Sequence, residues 1–111
     1  MGVQESRNIS ATILSGQTKS AAVSLAGFTL TGIITPAALD GTSLSFDVSA
    51  DGSTFVPLYD STNTAQTVTA GVSRGYALNP QVFMNWNQIK VVSNASESAD
   101  HVITLVARPT A

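Results

Sequence analysis

Residues 43–60 read SLSFDVSADGSTFVPLYD, and their spacing decides the fold class. Leu44, Phe46 and Val48 alternate with Ser45, Asp47 and Ser49, the period of two that sends one face of a strand into a core and leaves the other in water. On this reading Asp47 stands on the wet face. Asp51-Gly52 then supplies two residues that tolerate positive φ, as a type I′ turn requires, and Phe55, Val56 and Leu58 return the chain as a second strand. Pro57 has no N–H to give a ladder, so an edge position or a bulge is expected there; the spacing of Phe55 and Leu58 favours the bulge.

Similar punctuation runs outward in both directions. Residues 1–7 form a polar arm, after which Ile9, Ala11 and Ile13 alternate with Ser10 and Thr12 up to a Ser15-Gly16 turn. Residues 22–25 make a short strand. The run Phe28, Leu30, Ile33 and Ile34 stops at Pro36, and residues 37–42 cross to the central hairpin. Beyond it, residues 61–65 are a polar turn, and residues 67–69 and 74–78 are strands. Asn79-Pro80 opens one short helical turn near residues 80–85, with a capping side chain and a proline suited to the first helical position; Val82, Phe83 and Trp86 share its inner face. Strands over residues 88–92 and 101–107 close the chain, separated by a polar loop, residues 93–100, expected to be mobile. Eight or nine short strands with turn signals every eight to twelve residues predict an all-β chain, an antiparallel β-sandwich of jelly-roll type, with one domain over residues 8–108 behind the arm of residues 1–7.

Composition narrows the partners. The 111 residues are 43% hydrophobic and only 11% charged, against roughly 25% charged in an average soluble domain. Like-charge repulsion between copies is correspondingly weak, so the chain is expected to live assembled. The net charge is −2, and Arg7, Lys19, Arg74, Lys90 and Arg108 are scattered rather than aligned, which argues against nucleic acid as a partner. Cysteine is absent, so neither a disulfide nor a thiolate metal site is available. No apolar run approaches the roughly 20 residues of a membrane span, and MGVQESRNIS lacks the basic and apolar regions of a signal peptide. Gly2 with Ser6 fits the short myristoylation pattern, and Asn8 and Asn94 each begin a glycosylation sequon; both patterns are short enough to be read as incidental.

Catalytic constellations are sparse. The one histidine, His101, follows Asp100, and neighbours on a strand point to opposite faces, so Asp100 cannot orient His101 as a triad carboxylate would. His101 reads as a surface residue at a strand end. Asp40, Asp51, Asp60, Glu97 and Asp100 sit in or beside turns, where side-chain oxygens serve local backbone. The Asp51-Gly52-Ser53 turn offers too few oxygens for a calcium loop. Tyr59, Tyr76 and Trp86 are the candidates for an aromatic sugar platform, with Trp86 assigned to packing of the helical turn on the sandwich. No catalytic, cofactor-binding or metal-binding residue is expected.

The order of several weak motifs carries a resemblance. Gly16-Gln17 with Ser20, Leu25 with Gly27, Ile33 with Pro36-Ala37, Ser49 with Asp51-Gly52, Leu58-Tyr59-Asp60, Ala77-Leu78 with Pro80 and Phe83, and Ile89-Lys90-Val91 follow one another along nearly the whole chain. In that order they resemble a family of small jelly-roll proteins encoded among the virion genes of tailed bacteriophages. The resemblance implies a non-enzymatic structural protein, best fitted to capsid cement or decoration on the surface of the virion. Its implied partners are the major capsid protein and further copies of itself, with the arm of residues 1–7 helping to dock. The alternative is a carbohydrate- or receptor-binding module of a tail or fibre, whose mark would be exposed aromatics beside polar groups in one loop cluster.

Overall fold

The computed structural model describes residues 7–109. Among these residues nine strands form: β1 (Arg7–Ile13), β2 (Val23–Ser24), β3 (Phe28–Ile34), β4 (Ser43–Ser49), β5 (Val56–Pro57), β6 (Thr67–Thr69), β7 (Gly75–Ala77), β8 (Gln88–Ser93) and β9 (His101–Pro109), with a 3-10 turn at Pro80–Val82. One sheet has the order β1-β9-β3-β7. The other runs β2-β8-β4-β5, with β6 also paired to β4. All pairings are antiparallel. The chain alternates between sheets, β1 to β2 to β3 to β4, stays for β5 and β6, then passes to β7, β8 and β9, which is the wrapped order of a jelly-roll sandwich.

The core lies between the sheets and follows the alternation. Leu44, Phe46 and Val48 of β4, Ile89 and Val91 of β8, and Ile103, Leu105 and Ala107 of β9 are all buried. Removing each large side chain of this kind from water contributes about 1.5–3 kcal/mol. Phe83, just after the 3-10 turn, meets the Phe46 ring edge-on at 5.2 Å between centroids, and so plugs one end of the sandwich. Asn79 caps that turn by accepting a hydrogen bond from the Gln81 N–H, with Pro80 at the first position, as the dipeptide predicts.

Three local expectations are corrected. The bulge is in β3, not beside Pro57: the register against β9 slips between Leu30 and Gly32, leaving Thr31 as the extra residue, and this lets Leu30 and Ile33, three apart, both enter the core. Pro57 pairs with Asp47 on the sheet edge without a register shift; Leu58 is buried while Phe55 lies outside, under the Lys90 ammonium. The turn after β4 is not type I′, because Gly52 alone has positive φ. Asp51 Oδ1 instead accepts from the Ser53 and Thr54 N–H groups and from Ser49 Oγ, closing a longer loop. Nor is Asp47 on a wet face: its carboxylate is covered by Lys19, whose Nζ lies 2.8 Å away.

The polar arm falls outside the described residues except for Arg7, which belongs to β1, pairs with Ala107 and sets its guanidinium 5.2 Å from the centre of the Phe28 ring. Among the described residues no helix is long and apolar enough to cross a membrane.

Candidate functional site

Two places in the fold gather polar chemistry. The first joins the loop before β4 to the loop between β8 and β9. Pairing of Leu44 with Ser93 places residues 39–42 beside residues 93–100, and Glu97 enters the gap between them. It is 1% exposed. Oε1 accepts from the Asp40 N–H at 3.0 Å and from His101 Nδ1 at 2.5 Å; Oε2 accepts from the Gly41 N–H at 3.0 Å and from Ser93 Oγ at 2.9 Å. Burial pushes the Glu97 carboxyl pKa up, but the hydrogen bonds from Asp40, His101, Ser93 and Gly41 outweigh it and hold the value below 4.5. Glu97 is therefore a carboxylate, and Nδ1 of His101 carries the proton between them.

Asp40 completes the cluster. Its Oδ1 accepts from the Ser98 N–H and hydroxyl, which lower its pKa, and lies 3.7 Å from His101 Nδ1. One ligand atom from each of Asp40, Glu97 and His101 lies within 4.8 Å of the others, the one such grouping among the described residues. A cation there would compete with two backbone N–H groups, a hydroxyl and an imidazole already aimed at the Glu97 oxygens. Relay chemistry is equally ill served, since Ser93 gives its hydroxyl to Glu97 rather than to His101. The arrangement ties two loops and the start of β9 into one clamp.

This corrects two readings of the sequence. His101 is buried rather than on the surface, because the first residue of β9 points inward while Asp100, on the opposite side, accepts from the Ser15 N–H at 2.8 Å. The loop of residues 93–100 is pinned rather than mobile: the Glu97 N–H and C=O bond to Gln17 and Gly16, and Asn94 Oδ1 accepts from Thr42 and Ser43. The separation of Asp100 from His101 by strand alternation is as expected. Glu97 is the residue whose role the sequence reading misassigned to local turn bonding, since its oxygens serve the distant Asp40 and Gly41 N–H groups; its available signal was a lone long acidic side chain in a run of small polar residues, four positions before the only histidine.

The second place is an open cleft of about 440 Å³ at one end of the sandwich, between the segment following β5 and the 3-10 turn. Tyr59 and Trp86 line it together with Asp60, Gln66, Gln81 and Asn85. Trp86 is half-buried at the rim of the core, and its Nε1 donates to the Val82 carbonyl at 2.8 Å, fixing the indole. Its role in packing the helical turn is thus as expected from the sequence. Tyr59 is 50% exposed. Asp60 Oδ1 accepts from Thr62 Oγ1 and from the Thr62 and Thr64 N–H groups, and these bonds, that of the Thr62 hydroxyl foremost, keep its pKa below 3.8.

No protein-family model matches this chain, and neither the curated proteins nor the solved structures hold a match to it. The class defined by fold and site is an antiparallel β-sandwich whose buried charges lock loops.

Proposed function

We propose that this chain is a structural protein of a bacteriophage virion, a cement or decoration protein that sits on the capsid and stabilises the assembled head. The observation that carries the reading is the outer surface. Leu14, Ile34, Val56, Tyr59, Val72, Met84 and Val102 stand exposed on a body with few charges, a skin suited to contact with other protein. Among the described residues the seven-residue strand β1 also has no strand paired to its edge away from β9, the kind of edge that pairs with another chain. The ordered motif series from Gly16 to Val91 supplies the setting.

Mechanism follows from mass action. A protein that binds the closed shell and not its separated subunits stabilises the shell by an amount that grows with free concentration over Kd, and many symmetric copies multiply the gain. The major capsid protein is the expected partner, with like copies as neighbours. Imaging of intact particles carrying this chain tests the proposal: density for the sandwich over the capsid lattice is expected, and its absence from the head overturns it.

A second reading, a carbohydrate- or receptor-contacting module of a tail or fibre, is favoured by one feature, the cleft between Tyr59 and Trp86.

A further inference from the structure

We propose that the cleft between Tyr59 and Trp86 is a binding site for neutral carbohydrate. The inference concerns the isolated sandwich and holds for a head-bound and a tail-bound protein alike.

Sugar recognition needs two unlike surfaces close together: aromatic carbon against which the C–H face of a pyranose packs, and fixed donors and acceptors for the hydroxyls at its rim. Both are present. The cleft, at about 440 Å³, lies within the roughly 300–1,000 Å³ of small-molecule sites. Trp86 is held before any ligand arrives by its bond to Val82. The Tyr59 backbone is held by its bridge to Ala65, while its ring is half exposed. The indole and the Tyr59 backbone thus need no ordering on binding, whereas the Tyr59 ring and the rim amides order on contact.

The polar rim is built with capacity to spare. Asp60 Oδ1 is filled by Thr62 and Thr64, but Oδ2 receives only the Gln66 amide, at 3.3 Å. Gln81 and Asn85 give their side-chain amides to no other described residue, and the Tyr59 hydroxyl is likewise without a partner among them. Two free amides supply donors and acceptors, and the carboxylate accepts from a sugar hydroxyl. These are the pairings that a vicinal diol satisfies. The charge on Asp60 sets the class: with no basic side chain lining the cleft, a sugar carboxylate or sulfate meets repulsion, whereas an uncharged hexose does not.

Titration of the isotopically labelled protein with cellotriose and with N,N′,N″-triacetylchitotriose, followed by amide and indole NMR, tests the site, alongside a glycan array of neutral and sialylated structures. Shifts centred on the Trp86 indole N–H and the Gln81 and Asn85 amides are expected with a neutral glycan. Tyr59→Ala should weaken that binding by about tenfold or more, and Asn85→Ala should weaken it severalfold; the unperturbed remainder of each spectrum would report an intact fold. Absence of any neutral glycan bound in either format overturns the proposal, as does equal binding of sialylated forms or a shift pattern outside the cleft. A failure here leaves density on the particle head untouched, and the reverse is equally true.

Discussion

Glu97 Oε1 lies 2.5 Å from His101 Nδ1, and the carboxylate that makes this contact is closed off from water more completely than that of Asp47, the other buried carboxylate among the described residues. The pair welds the loop between β8 and β9 to the loop before β4, through Gly41 and Asp40 on one side and Ser93 on the other. A buried charge is tolerated here because four donors face it.

Replacing Glu97 with Ala should therefore cost about 3–5 kcal/mol, since the donors left behind stay buried without an acceptor. Glu97→Gln keeps the shape but sets an amide N–H₂ against existing donors, at a cost of about 1.5–3 kcal/mol. Urea unfolding of the two variants against the parent checks the order; equal stability of all three would refute the clamp.

Acid should loosen the molecule. Asp40, Asp60 and Glu97 have carboxyl pKa values held down, and hydrogen bonds from the Thr54 and Ser53 N–H groups and the Ser49 hydroxyl lower that of Asp51 to about 2. A group with a folded pKa below its unfolded value binds fewer protons when folded, so its stabilising share is complete above the unfolded pKa and is lost as pH falls through the folded one. Thermal stability should thus hold flat down to about pH 5, then decline from the ordinary carboxyl value of 4.5 for Glu97 towards about 2 for Asp51. Melting curves across that range read the effect, and Glu97→Gln should flatten part of the decline.

Gly41 has no room for a side chain. A Cβ there would stand 2.0 Å from Ser93 Oγ and 3.0 Å from Asn94 Oδ1, both engaged in the loop contacts. Gly41→Ala should cost about 1–3 kcal/mol through overpacking and should expose the Gly41 and Asp40 amides to faster hydrogen exchange. Unchanged exchange at those amides would show that the loops move aside without losing the clamp.

Lys19 and Asp47 offer a weaker contact of the same kind. Their side chains are 55% and 12% exposed, so solvent screens the lysine end, and a double-mutant cycle with Lys19→Met and Asp47→Asn should return a coupling of about 0.5–1 kcal/mol that shrinks with added salt. Coupling that ignores salt would mark the pair as a packing contact instead.

The strands were legible because their cause is local. Alternation in β4, β8 and β9 assigns Leu44, Phe46, Val48, Ile89, Val91, Ile103 and Leu105 to one face whatever their partners are, and Asn79-Pro80 starts a helical turn through its own cap. The bulge in β3 was misplaced because it depends on the register against β9, and covering of Asp47 depends on Lys19, bridged to Val92 of β8, reaching its side chain over to β4. Both are relations between distant segments.

The same division separates the architecture from the sites. Side-chain period and turn residues along the chain suffice for an all-β sandwich, since a one-faced strand has to bury that face against another. No local pattern could announce that Glu97 would meet Gly41, fifty-six residues away, or that Tyr59 would share a cleft with Trp86. Those meetings required the pairing of β4 with β8 and the seating of Phe83 on Phe46, because the energy of a polar or aromatic contact depends on distances that exist only once the sheets have closed on each other.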